Sequence, residues 1–186
     1  MQAIWRRACA IGLLLAVAIA PGYVPAAWGQ ADGNGAAGPL PGGASSLQET
    51  HDDWQVNCRA VSGAKDCSMI QTQTRQDGQR VLAVELQMKS GGGASGILVL
   101  PFGLGLDAGA DLALDDGPPS AAARFSTCLP AGCVVPLAFD AKMVAALRSA
   151  KTVRVLTRRT DDKEFLLAIS LKGFAAALAR LGELGR

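Results

Sequence analysis

The chain has 186 residues, of which 49% are hydrophobic, 18% charged and only 5% aromatic, with 18 basic side chains, 16 acidic ones and a single histidine. Two of the basic residues, Arg6 and Arg7, fall in an N-terminal segment that reads as removable, and without them the charges balance. Overall charge therefore excludes nucleic acid or anionic lipid as partners selected by net attraction.

The opening residues, MQAIWRRACAIGLLLAVAIAPG, set Arg6 and Arg7 ahead of an apolar run from Ala8 to Ala20, which Pro21 and Gly22 interrupt. That run is shorter than the roughly 20 residues a membrane-crossing helix needs, so it reads as a secretory signal peptide. Small residues permit cleavage after Ala26 or after Gly29, giving an expected leader of residues 1–29. Cys9 precedes the apolar core and leaves with the leader. The arginine pair reads as an ordinary basic n-region in place of a twin-arginine signal. Residues 30–50, dominated by Gly, Ala, Pro and Ser, bury too little surface to offset backbone ordering and are expected to form a flexible tether. A single domain of about 135 residues, spanning 51–186, follows it. The expected destination is the periplasm, with release or outer-surface association, and with no transmembrane segment after cleavage.

Within the domain, apolar residues recur in short alternating bursts. WQVNC (54–58) and RVLAVELQM (80–88) read as strands, the second with Leu82, Val84, Leu86 and Met88 on its buried face. SGGGASG (90–96) reads as a hairpin connection into ILVLPFGLGL, itself broken at Pro-Phe-Gly. ADLAL, ARFSTC, CVVPLAF, TVRVLTRR (152–159) and EFLLAISL continue the series, with Val153, Val155 and Thr157 on one face of the penultimate burst. Seven or eight such strands predict an antiparallel β-sandwich or barrel. Two helices interrupt it. Asp140 is placed to cap the first, with Phe139 and Val144 as a hydrophobic staple. Ser170 is placed to cap a C-terminal helix whose stripe of Leu171, Phe174, Leu178 and Leu181 packs on its own domain or meets a partner.

Four cysteines remain after the leader: Cys58, Cys67, Cys128 and Cys133. An even count in an exported chain predicts disulfides. Three pairings are open, and the one needing least long-range geometry joins Cys58 to Cys67 and Cys128 to Cys133. Zinc fits poorly, because eight residues separate the first pair. Redox work favours Cys-x-x-Cys, whereas four residues including Pro130 separate the second pair.

Other chemistry is sparse. His51 is expected to be solvated at the end of the tether, without the cleft a catalytic triad requires. Asp115-Asp116 and Asp161-Asp162 read as turn residues, and an Asp-rich calcium loop at Asp107, Asp111, Asp115 and Asp116 matches no EF-hand spacing. The glycines at 91–93 and 96 lack the Lys-Ser/Thr of a phosphate cradle. Arg148, Lys151, Arg154, Arg158 and Arg159 make the largest patch of one sign, without aromatics to stack bases, so Arg154, Arg158 and Arg159 are candidates for an anionic partner and not for nucleic acid. No catalytic, metal or cofactor residues are assigned.

Several stretches taken together carry a resemblance. Trp54 shortly before Cys58 and Cys67, LPFGLGLDAGADLALDD, FSTCLPAGC, a capped helix ending ALRSA, and ISLKGFAAALARL resemble the invasion-associated locus B family of exported bacterial proteins over residues 51–182. The resemblance implies an immunoglobulin-like antiparallel β-sandwich with two short helices, the second at the C-terminus, and the pairs Cys58–Cys67 and Cys128–Cys133. It implies no catalytic residue. The expected role is a non-enzymatic binding or accessory protein of the bacterial envelope, whose partner is an envelope or host-surface protein or an anionic envelope component. The alternative is an envelope thiol-disulfide protein using Cys128 and Cys133.

Overall fold

Among the described residues the chain forms ten strands, several marked by alternating apolar and polar side chains, and two amphipathic α-helices. In this computed structural model, residues 40–119 and 123–185 are described. In chain order the strands are β1 (Ser46–His51), β2 (Trp54–Val61), β3 (Ala64–Thr74), β4 (Arg80–Met88), β5 (Ala94–Leu100), β6 (Asp111–Leu114), β7 (Thr127–Leu129) and β8 (Gly132–Phe139). Helix α1 (Ala141–Ser149), β9 (Thr152–Arg158), β10 (Glu164–Ser170) and helix α2 (Phe174–Leu184) complete the fold. One sheet has the order β1-β2-β3-β4-β5-β8-β7 and the other β10-β9-β6, with every pairing antiparallel. The mainly β, antiparallel class with two helices, the second at the C-terminus, is as expected.

The inward residues of both sheets belong to one core. Trp54, Val56 and Cys58 of β2, Leu82, Val84 and Leu86 of β4, and Val153 and Val155 of β9 are all buried there, those of β4 on the face predicted from its alternation. At its centre Trp54, 1% exposed, meets Phe174 edge to face with ring centroids 5.1 Å apart. The Trp54 indole N–H donates to the Ser170 carbonyl at 2.9 Å, and the buried Gln71 amide donates to the same oxygen at 2.8 Å. The Gln71 carbonyl oxygen in turn accepts the Ser170 backbone N–H at 3.2 Å. One glutamine of the large sheet thus satisfies both backbone groups at the end of β10 in the small sheet.

Strands β1 and β3 were not anticipated. The expected tether ends earlier than residue 50: Leu40 is buried, and β1 pairs residue by residue with β2 from Ser46↔Arg59 to His51↔Trp54. SLQETH carries one large apolar residue, so the strand forms by hydrogen-bonding to a neighbour and not by its own burial pattern. The leader, Cys9 and the first part of the tether lie outside the described residues. In β3, inward positions hold Gln71 and Gln73 beside Met69, which masks the alternation. His51 sits at the end of β1, half-buried, with Nε2 3.6 Å from Glu49 Oε2, and not in a solvated loop.

Asp140 caps α1 as expected, its carboxylate accepting from the Met143 N–H at 2.7 Å. Ser170 does not cap α2. The helix starts after Gly173, whose φ of 83° lies in the left-handed region and whose missing Cβ lets it approach the His51 carbonyl, while Ser170 Oγ accepts from Lys172 N–H. The stripe of α2 is core: Phe174, Ala177, Leu178, Leu181 and Leu184 are buried among β1 to β4 and α1, leaving no apolar face for a partner. On its polar side Arg180 grips Glu49 of β1 through two hydrogen bonds, of 2.7 and 2.8 Å, and reaches Glu183 at 3.0 Å.

Two outcomes follow for stability. Replacing Gln71 with Leu keeps the volume but strands the Ser170 N–H in the core, and is expected to cost about 2 kcal/mol. Urea unfolding with an unchanged slope and a lower midpoint would show it. The Arg180 guanidinium holds the Glu49 carboxyl below its ordinary range. A carboxyl depressed in this way stabilises the fold above its unfolded pKa and loses that contribution as pH falls through the folded one. Wild type should therefore exceed Glu49→Gln by about 0.5–1 kcal/mol at neutral pH, and the two should converge in acid. A difference that persists in acid would show that charge is not its source.

Candidate functional site

Four loops meet at one end of the two sheets and enclose a cleft of about 480 Å³. The end of β5, Pro101 to Gly103, forms one wall, and the β7–β8 turn, Pro130 to Gly132, forms another. Arg75 and Arg80 flank the β3–β4 turn, and the β9–β10 connection brings Arg159 with Phe165 of β10.

Backbone pairing sets these parts in place. The chain leaving β5 crosses to the small sheet, where Leu104 bridges Arg159, the Gly105 N–H donates to the Arg158 carbonyl at 2.9 Å and the Thr160 N–H donates to the Gly103 carbonyl at 3.1 Å. This crossing sets Phe102 beside the end of β9. In the β3–β4 turn, the Arg75 N–H bonds the Gln79 carbonyl at 2.9 Å and Asp77 accepts from the Gln79 N–H at 2.9 Å. The Arg80 guanidinium then donates across the cleft to the Ala131 carbonyl. Gly132 has a φ of 132°, and a Cβ there would collide with the Leu100 carbonyl, so the turn can lie against β5 only with glycine at this position.

The disulfide Cys128–Cys133 braces this wall, joining directly opposed residues of β7 and β8, and Cys58–Cys67 does the same across β2 and β3. Both pairs are those the resemblance implied. Cys58 and Cys133 are buried, whereas Cys128 is exposed on the edge strand β7.

The electrostatics are one-sided. No carboxylate or imidazole lines the cleft, and among the described residues none of Arg75, Arg80 and Arg159 has a carboxylate within ion-pair distance. Arg159 lies over the Phe165 ring, 4.3 Å from its centroid, and the Asp161 carboxylate acts on it only from beyond ion-pair distance, so the ring is its closest support. Phe102, at the tip of its turn, is 62% exposed, and Leu129 beside the other wall is 51% exposed.

Of the three arginines singled out from the sequence, only Arg159 reaches this cleft. Arg154 and Arg158 project from the opposite face of β9 to the buried Val153, Val155 and Thr157. There Arg154 donates to the Gly117 carbonyl at 3.2 Å and Arg158 to the Asp162 carbonyl at 3.0 Å. Arg75 and Arg80 went unnoticed because they are five positions apart around an Asp-Gly turn, a spacing with meaning only once the hairpin folds. The acidic pairs serve turns. Asp115 accepts from the backbone N–H groups of Lys151 and Thr152 at 3.0 and 2.9 Å, and Asp161 accepts from Lys163. Among the described residues no group of three or more His, Cys, Asp or Glu side chains is placed to hold a metal ion, and no helix is long and apolar enough to cross a membrane.

Two of the turns that build the cleft, at residues 101–103 and 130–132, lie in motifs on which the family resemblance rests, and the sequence model described as invasion associated locus B (IalB) protein matches residues 54–182. The chain belongs to the invasion-associated locus B family. An invasion protein B homolog of Brucella abortus (strain 2308) is 49% identical over 152 residues, spanning 80% of this chain and 86% of that protein. Invasion protein B of Bartonella bacilliformis is 36% identical over 148 residues, spanning 78% and 80%. The crystal structure of invasion associated protein B from Bartonella henselae superposes with a TM-score of 0.71 at 34% identity, covering 75% of this chain and 97% of that one.

If the Cys128–Cys133 brace holds the cleft wall, Cys128→Ser should lower stability by about 2–3 kcal/mol, the closure entropy of so short a loop. Thermal unfolding of the oxidised proteins measures this. An unchanged melting temperature would show that the hairpin stands without its bridge.

Proposed function

We propose that this member of the invasion-associated locus B family is exported behind a leader of residues 1–29 and acts in the periplasm or at the outer surface as a non-enzymatic binding or accessory protein. The observation that carries this reading is the convergence of four loops on one concavity in which, among the described residues, three arginines stand without a carboxylate at ion-pair distance. Loops held by a rigid sheet are where binding surfaces are built, and concave sites with a few polar groups suit ligand capture. Two disulfides on directly opposed strand positions support an oxidising compartment. The partner is a component of the envelope or of a host surface, a setting that the names of the Brucella and Bartonella relatives support.

A second reading is thiol-disulfide exchange at Cys128–Cys133, favoured by the exposure of Cys128 on an edge strand. Structural bridges resist the glutathione pool and labile ones do not, so thiol titration under that poise separates the two.

Capture from envelope extracts, comparing wild type with a variant carrying Arg80→Glu and Arg159→Glu, tests the binding role. The specific partner should be lost while the melting temperature holds. Retention of the same partner would move the site elsewhere, and turnover of an envelope substrate by the purified chain would end the non-enzymatic reading.

A further inference from the structure

The chemistry of the cleft specifies its partner more narrowly than "anionic". Resting on the binding role above, we propose that it takes an extended acidic segment of a protein partner, whose carboxylates meet Arg75, Arg80 and Arg159 while an apolar side chain packs on Phe102.

Charge complementarity is the first argument. Apart from the leader the chain carries equal numbers of acidic and basic residues, yet the cleft gathers three cations and no anion. The Asp161 carboxylate acts on Arg159 from beyond ion-pair distance, so the guanidinium groups lining this concavity keep a mutual repulsion that a carboxylate-bearing occupant removes.

Pre-orientation is the second. The Arg159 guanidinium carbon lies over the Phe165 ring, 4.3 Å from its centroid, a contact that restrains the side chain. Arg80 spends one donor on the Ala131 carbonyl and keeps the others. A planar fork held in this way binds a carboxylate through paired hydrogen bonds with less ordering cost than a free lysine.

Shape and apolar surface supply the third. A cleft of about 480 Å³ admits a few side chains and not a folded domain. Phe102, 62% exposed on the cleft wall, offers an apolar anchor beside the cations. A bilayer presents a plane of headgroups to projecting cations, whereas cations sharing a concavity receive groups presented singly. The occupant thus alternates acidic with apolar side chains along an extended backbone.

The test uses the full oxidised chain and immobilised peptides built on common Phe- and Pro-containing frames, with Glu, Gln or Lys at the variable positions. Vesicles of phosphatidylcholine with phosphatidylglycerol provide a parallel arm. Binding confined to the Glu series is expected, weakened by salt and reduced about tenfold by Arg80→Gln or Arg159→Gln, the loss of one charge-assisted pair. Arg159→Lys, which keeps the charge but not the planar fork, should fall between wild type and Arg159→Gln, and Phe102→Ser should weaken the same peptides without changing the charge preference. Unchanged melting temperatures show that the variants are folded.

Equal binding of the Glu and Gln series, binding indifferent to the arginine variants, or no binding to any peptide would overturn the proposal. Arginine-dependent binding to vesicles without peptide binding would overturn it in favour of a lipid. None of these results touches the binding role itself, which fails separately if the wild-type chain captures no partner from envelope extracts, whereas capture that survives reversal of Arg80 and Arg159 moves the site out of this cleft.

Discussion

Both backbone polar groups of Ser170, at the end of the small sheet, are tied to side chains of the large one. Its carbonyl accepts from the Trp54 indole and the Gln71 amide of the large sheet, and its N–H bonds the Gln71 carbonyl oxygen. Unpaired in the core, these groups would cost more than the bonds themselves contribute, so burial and pairing have to occur together. The same residue ends β10 three positions before Gly173, where the chain turns into α2 and brings Phe174 against Trp54. Sheet packing, the start of the helix and the deepest aromatic contact therefore converge on this residue.

The opposite ends of the strands are then free to be built for another purpose. Because β9 and β10 are held against the large sheet through Ser170, their connecting loop falls beside the turn after β5, and Leu104 bridges Arg159. The Cys128–Cys133 brace and the bond from Arg80 to Ala131 set the third and fourth walls against it. Loops that would each be mobile alone become one surface because each is tied to a different strand of the same rigid pair of sheets. The result concentrates positive charge locally in a chain that is otherwise balanced.

Much of the core was legible in the residues. Leu82, Val84 and Leu86 announced their buried face by alternation, Val153, Val155 and Thr157 fell on one face of theirs, and Asp140 announced a helix start by its capping chemistry. Strand β3 escaped because Gln71 and Gln73 face inward, and hydrophobic periodicity cannot register a polar residue whose partner lies 95 or more positions away. Strand β1 escaped because its stability comes from pairing with β2 and from Arg180 gripping Glu49, neither of which SLQETH displays. Ser170 was read as a local cap because its role in joining the sheets is invisible to local rules.

By itself, then, the sequence determined the antiparallel β class, the cysteine braces, the capped first helix and the family, since each of these rests on residues close together in the chain or on an ordered set of short motifs. The tertiary structure alone decided that Arg159 parts company with Arg154 and Arg158, and that it joins Arg75 and Arg80 beside Phe102. Alternate residues of a strand face opposite sides, and residues at the ends of different strands become neighbours only when register and sheet packing are set. A cleft made of strand ends from both sheets has no signature along the chain, because the distances that define it exist only across the fold.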